Sequence, residues 1–286
     1  MDDIQHLFPS QDQLGEGPLW DYRQQQLFWV DIDGKRIHQL DPVTCIYTVF
    51  HIPVKVGVLG LRRCGGFVMA TQNGFAFWQP ETNEISYITD PEADKPLSRF
   101  NDGAVDRVGR FWAGSYGAKS NHLYRLDADL SVQRLASGLR IPNGIGWSPD
   151  NRYLYFTDSM KHKIYRYEFE LETGQIRKRI TWVDSEKQPG VPDGLTVDQE
   201  GNVWSARWDG WCIDVYNPAG RQIDKISVPV PRPTSICFGG PDLRTLYITS
   251  ARGDLDDQVL NQAPLSGDLF RLEVEVHGLP EPLFVG

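Results

Sequence analysis

Apolar residues along this chain come in short runs rich in aromatic and β-branched side chains, each cut off by a turn signal. Examples are Leu27-Phe28-Trp29-Val30, Phe67-Val68-Met69-Ala70, Phe111-Trp112-Ala113, Leu154-Tyr155-Phe156-Thr157, Val203-Trp204-Ser205-Ala206 and Leu246-Tyr247-Ile248-Thr249. Each is preceded by a turn such as Gly65-Gly66, Pro149-Asp150-Asn151, Glu200-Gly201-Asn202 or Gly239-Gly240-Pro241-Asp242. Runs of this length between such turns predict strands. They group into units of about 40 to 50 residues, the length of a four-stranded propeller blade. A lone four-stranded sheet cannot bury both faces, whereas blades set radially bury each face against a neighbour and leave only short edges. The expected fold is therefore all-β: a six-bladed propeller with four antiparallel strands per blade. It is expected to form one domain over residues 1–286, with blades starting near residues 16, 57, 101, 143, 193 and 234. The sixth unit lacks an obvious outer strand, so either Ile4 to Phe8 or the tail near Leu283-Phe284-Val285 must close the ring.

One phrase recurs at the start of four units. Glu16-Gly17-Pro18-Leu19, Asn101-Asp102-Gly103-Ala104, Asn143-Gly144-Ile145-Gly146 and Asp193-Gly194-Leu195-Thr196 each lead with a carbonyl-bearing polar residue and reach Asp21, Asp106, Ser148 or Asp198 five residues on. The second unit, from Gly57, has the architecture without the polar residue. In a propeller the innermost strands begin at one mouth of the central channel, so Glu16, Asn101, Asn143 and Asp193 should converge near the axis. The ends of the second strands should place Asp31, Gln72, Tyr116, Asp158, Trp208 and Arg252 around the same rim. A single Asn-Gly or Asp-Gly is ordinarily a turn. Four at one register, combining two carboxylates with two amide oxygens and no His or Cys, make a hard oxygen cage for one divalent cation. Without such an ion, carboxylates crowded at the axis would repel one another.

Composition narrows the partners. The formal charge of −9 and pI near 5.2 argue against nucleic acid or an anionic membrane as partner. No stretch is long and apolar enough to span a bilayer. The acidic start Met1-Asp2-Asp3-Ile4 lacks the features of a secretory signal, so a cytoplasmic location is expected. Cys45, Cys64, Cys212 and Cys237 are scattered and read as reduced structural thiols. No G-x-S-x-G elbow or H-E-x-x-H helix occurs, and all six His residues fall outside the repeated phrase. Ser115 and Ser159 have no base beside them in the sequence and read as turn hydroxyls.

Taken together, Leu14-Gly15-Glu16-Gly17-Pro18-Leu19-Trp20, Arg99-Phe100-Asn101-Asp102-Gly103, Asn143-Gly144, Pro192-Asp193-Gly194 and Cys237-Phe238-Gly239-Gly240 resemble the SMP-30/gluconolactonase family over essentially the whole chain. That family includes regucalcin, bacterial sugar lactonases and, more distantly, diisopropylfluorophosphatase-like enzymes. The resemblance implies a divalent cation held by Glu16, Asn143 and Asp193, and lactonase activity on aldonolactones. It also makes Arg99 a substrate contact and Asn101 a contact to substrate in lactonases or to metal in the phosphatase relatives. Tyr116 stands where vertebrate relatives carry Met, and the loop from Tyr116 to Asn121 is shorter than theirs, so substrate preference does not carry over.

The chemistry expected of such a site is ester hydrolysis of a sugar lactone. A bound cation polarises the carbonyl and stabilises the tetrahedral oxyanion. Either Asp193 or a metal-bound hydroxide activates water, while Arg99, Asn101 and Tyr116 hold the substrate. Oxygen ligands admit calcium, magnesium, manganese, zinc or ferrous iron. A monomer acting on a small molecule is the expectation. An apolar, roomy rim would instead favour phosphotriesters, and absence of turnover a non-catalytic calcium-binding propeller. Arg99, Asp158 and Arg252 argue for a polar rim and sugar-like substrates.

Overall fold

The structure, a computed structural model, describes residues 4–117 and 120–286. Residues 1–3 of the acidic N-terminus and 118–119 of the Tyr116 to Asn121 loop therefore lie outside the described residues. The described residues form six four-stranded antiparallel sheets arranged as propeller blades. Their innermost strands are Gly15–Asp21, Val56–Leu61, Arg99–Val105, Pro142–Trp147, Val191–Val197 and Pro233–Gly239. Burial falls radially, as stacked blades require. Gly15–Asp21 is buried at every residue, whereas the outermost strand of the same blade, Tyr47–His51, has only half-buried and exposed residues.

Ring closure is done by the N-terminus. Gln5–Phe8 pairs antiparallel with Leu269–Glu273, the third strand of the last blade. Phe8 packs on Tyr47 of the first blade at 4.2 Å between ring centroids, so the strand that completes blade six also grips blade one. The tail serves the opposite end of the channel. Phe284, fully buried, bonds through its backbone N–H to Leu61 O (2.7 Å) and accepts from Arg63 N (2.9 Å). Burying a Phe side chain contributes about 1.5–3 kcal/mol, enough to hold a tail that adds no strand.

Every innermost strand carries a β-bulge near its start. The register skips between Glu16 and Leu19, Val56 and Val58, Phe100 and Gly103, Pro142 and Ile145, Pro192 and Leu195, and Pro233 and Ile236. A bulge puts two residues opposite one and re-aims a side chain that regular pleating would send between blades. In the first blade the bulge is made by Gly17, at φ +51°, a conformation most side chains resist. Gly57, in the blade without a polar register residue, is needed for a different reason. A Cβ there would stand 2.5 Å from Phe100 O and 2.6 Å from Asn101 O, so its absence lets the inner strand of blade three pack closely against that of blade two.

The residue five positions further on closes the inner hairpin. Asp198 accepts from Glu200 N (2.9 Å), Asn202 N (2.8 Å) and Trp204 Nε1 (2.9 Å). Asp106 does the same for Val108 N, Arg110 N and Trp112 Nε1. The far half of the repeated phrase is thus a turn lock tied to a core tryptophan, remote from the mouth where the near half converges.

Candidate metal centre and its cavity

Glu16, Asn143 and Asp193 line one open cavity of about 260 Å³ at the channel mouth, together with Arg99, Asn101 and Tyr116. All three carboxylate and amide side chains are buried, at 5, 6 and 3 % exposure. Burial comes first among the forces that raise Glu16 well above the ordinary carboxylate range, followed by the charges of Asp193 and Asp102, with Gly17 N–H and Arg99 opposing. Asp193 is likewise raised by burial and then by Asp102, against hydrogen bonding from Asn143. Two dehydrated, mutually repelling carboxylates beside an amide suit a hard divalent cation, whose charge would remove both penalties. Among the described residues no three His, Cys, Asp or Glu side chains form a cluster that could hold a metal ion. A cation held here would therefore need the amide oxygen of Asn143 as well as the two carboxylates.

Sequence reasoning missed Asp102. It is buried and its pKa is raised by burial to about 6, Gly103 N–H opposing. Its side chain lines the channel beneath the cage, beside Gly17 and Ser235. It adds negative potential from below. The signal was present as Asn101-Asp102-Gly103, two consecutive polar residues at a bulge that places neighbours on different levels.

Each of these three side chains, Glu16, Asn143 and Asp193, is aimed by a brace on the segment just before it. Asp31 Oδ1 accepts from Leu14 N (3.0 Å) and its Oδ2 from Gln13 N (3.2 Å), fixing the approach to Glu16. Asp158 Oδ1 accepts from Arg140 N and Ile141 N, both at 3.1 Å, fixing the approach to Asn143. Before Asp193 the polarity inverts. Arg207, buried and paired with Asp214 at 3.2 Å, donates through Nη2 to Pro189 O (2.8 Å) and Gly190 O (3.0 Å). Asp31 and Asp158 are therefore not rim residues facing a substrate, as strand ends alone suggested, because satisfying buried backbone N–H groups holds them inward.

The wall of the cavity is correspondingly less polar than expected. Leu14, Ile141, Met160, Val191 and Trp208 line it with the polar residues, and Arg252 is not among the lining residues. Arg99 spans the two environments. Its guanidinium lies over the Tyr116 ring at 4.9 Å, and Nη1 donates to Asn101 Oδ1 (2.7 Å) and Phe100 O (2.9 Å). Ser159, expected as a turn hydroxyl, is buried in the cavity and accepts from Asn143 Nδ2 at 3.0 Å. Ser115 does meet ionisable neighbours in space, Glu92 and His122. Its hydroxyl donates to Glu92 Oε1 (3.3 Å) and accepts from the backbone N–H of His122 (3.0 Å), while the imidazole Nδ1 faces Glu92 (2.9 Å). That arrangement anchors a loop and gives the serine no imidazole base.

Comparison with known proteins agrees with this architecture. Residues 14–252 match the SMP-30/Gluconolactonase/LRE-like region family. The chain is 37% identical to a 6-deoxy-6-sulfogluconolactonase of Pseudomonas putida over 96% of its own length and 95% of that protein's. It is 36% identical to a pentonolactonase of Haloferax volcanii, covering 94% and 93%. Among solved structures, a regucalcin from Agrobacterium tumefaciens described as a calcium-binding protein superposes with a TM-score of 0.95 at 30% identity, covering 99% of this chain and 97% of that one. A propeller built this way and matched along nearly its whole length belongs to the SMP-30/gluconolactonase family.

Proposed function

We propose that this protein is a sugar lactonase that opens the ring ester of an aldonolactone to the hydroxy acid, using one divalent cation held by Glu16, Asn143 and Asp193. The observation that carries the reading is the presence of that oxygen cage and the Arg99 guanidinium in one open cavity. Two relatives named for lactones, at more than a third identity over nearly the whole chain, support it. When bound, the cation polarises the lactone carbonyl and stabilises the negative charge that develops on its oxygen.

The chain's own residues supply the rest. Asp193, a carboxylate at the cage, accepts the proton of the attacking water as the new C–O bond forms. The ring C–O bond then breaks, and the leaving alkoxide takes that proton back from Asp193 to become the free hydroxyl, which restores the carboxylate. Arg99 has Nη1 committed to Phe100 O and Asn101 Oδ1, and its remaining N–H groups are the donors a hydroxylated ring would use. Tyr116 stacks on that guanidinium and limits its swing.

The apolar wall of Leu14, Ile141, Met160, Val191 and Trp208 favours a second reading, a phosphotriester or a sparsely hydroxylated lactone. One experiment separates them. Acid release is followed for a panel of aldono-1,4- and 1,5-lactones and for a fluorophosphate triester, in chelated protein and after return of single metals. The lactonase reading expects turnover of at least one aldonolactone that chelation abolishes and more than one ion restores. Full activity in the chelated protein would remove the cation from the mechanism. Turnover of the triester alone would replace the reading, and calcium binding without any turnover would leave a binding protein.

A further inference from the structure

An amide side chain has two ends of nearly the same shape, but only its oxygen can ligate a cation. If Asn143 is to serve the cage, something must decide which end it presents. The structure contains a directional series of hydrogen bonds that makes this decision. Arg99 has donors only, so the atom of Asn101 lying 2.7 Å from its Nη1 must be Oδ1. The other end of Asn101, Nδ2, then lies 2.9 Å from Pro142 O, an acceptor only, so two independent neighbours fix the same orientation. The same Nδ2 lies 2.9 Å from the Asn143 amide, which must meet it with Oδ1. Asn143 Nδ2 is thereby turned to Ser159 Oγ at 3.0 Å, and the amide also bonds to Asp193. Reversing Asn143 would set N–H against N–H at Asn101. Both asparagines are buried at 9 and 6 % exposure, so water from the cavity would replace the lost bonds only in part and a reversed amide is disfavoured.

We propose that Asn101 is a positioning residue for the cation cage: held by Arg99 and the Pro142 carbonyl, it donates to Asn143 and keeps that amide's oxygen available to the metal. Its own amide oxygen is committed to Arg99 and its nitrogen faces the cage side, so Asn101 acts through Asn143 and is not a fourth ligand. The inference rests on the cage assigned above and is independent of what the cavity hydrolyses.

The test is calorimetric titration of chelator-treated full-length protein with calcium alone, with no lactone present. Four proteins are compared: the parent, Asn101→Leu, Asn143→Asp, and the double variant. A carboxylate at 143 presents oxygen at both ends and needs no orienting. We expect Asn101→Leu to weaken calcium binding about tenfold in the parent, and to leave affinity within about threefold in the Asn143→Asp background. An equal loss in both backgrounds would overturn the proposal, since it would make Asn101 a ligand or a general structural support. No loss in the parent, or tighter binding, would overturn it too, because Asn143 would then need no orienting. Should Asn101→Leu fail to fold by circular dichroism, Asn101→Ala removes the same donor with less bulk and is read in the same way. A protein that passes this test yet hydrolyses no lactone would sink the lactonase reading while leaving the positioning role intact.

Discussion

Glu92 sits on the loop that leads into Arg99, and its replacement by Gln probes how that loop is held. The carboxylate is buried at 5 % exposure. Its Oε1 accepts from Tyr124 Oη (2.6 Å) and faces His122 Nδ1 (2.9 Å), while Oε2 lies 2.8 Å from Lys95 Nζ. Burial alone would raise its pKa, but the hydrogen bonds from Lys95, Tyr124 and His122 win and hold it at about 2, against 4.5. At about 1.36 kcal/mol per pKa unit, that depression corresponds to roughly 3 kcal/mol of folding stability at neutral pH. Solvent reaching Lys95 screens part of it, so about 1.5–3 kcal/mol is expected. Because the folded pKa is lowered, the contribution is complete above pH 4.5 and is lost as pH falls toward 2. Only about a quarter should remain at pH 2.5. Urea unfolding of parent and Glu92→Gln at pH 7, 4.5 and 2.5 measures this, and other carboxylates cancel in the difference between the two. A gap as large at pH 2.5 as at pH 7 would refute the electrostatic account and make Glu92 a matter of shape. At saturating calcium the same variant should raise KM for lactone more than it lowers kcat, since the loosened loop carries the substrate-facing Arg99 and none of Glu16, Asn143 and Asp193.

Other outcomes follow from the same geometry. Asp193→Asn at saturating calcium should lower kcat about 100- to 10,000-fold, and a near-native kcat there would show that Asp193 only ligates. In the chelated protein Asp102→Asn should raise stability at pH 8 by roughly 3 kcal/mol. The sign follows from a folded pKa raised to about 6, which penalises the ionised form above that pH, so the gain should vanish below about pH 4. Melting curves at the two pH values decide it. Asp198→Ala strands Glu200 N, Asn202 N and Trp204 Nε1 and should cost about 3 kcal/mol or more, with calcium affinity unchanged within about threefold. A large loss of calcium affinity would place Asp198 in the cage and not in the turn.

Much of this protein is legible without coordinates, because alternation of short apolar runs and turns at a fixed period has few physical solutions, and radial stacking is the one that buries six sheets. The register of Glu16, Asn143 and Asp193 is legible for the same reason, since a repeated scaffold brings repeated positions together. What the period does not encode is where a side chain turns once it arrives. Asp31 and Asp158 share the strand-end position of Tyr116 and Trp208, yet they turn inward because backbone N–H groups of the neighbouring segment lie within reach, while the two aromatic residues line the cavity. Ser159 and Asn143 are sixteen residues apart and on different elements, so the hydrogen bond between them has no sequence signature. Asp102 was hidden by its neighbour: a bulge sends consecutive residues to different levels, and strict alternation assigns only one of them to the axis. The closing strand was undecided between two termini of similar apolar character. Only the tertiary structure decides it, because the free edge of Leu269–Glu273 lies where Gln5–Phe8 can pair, while Phe284 finds its partners at the opposite end beside Leu61.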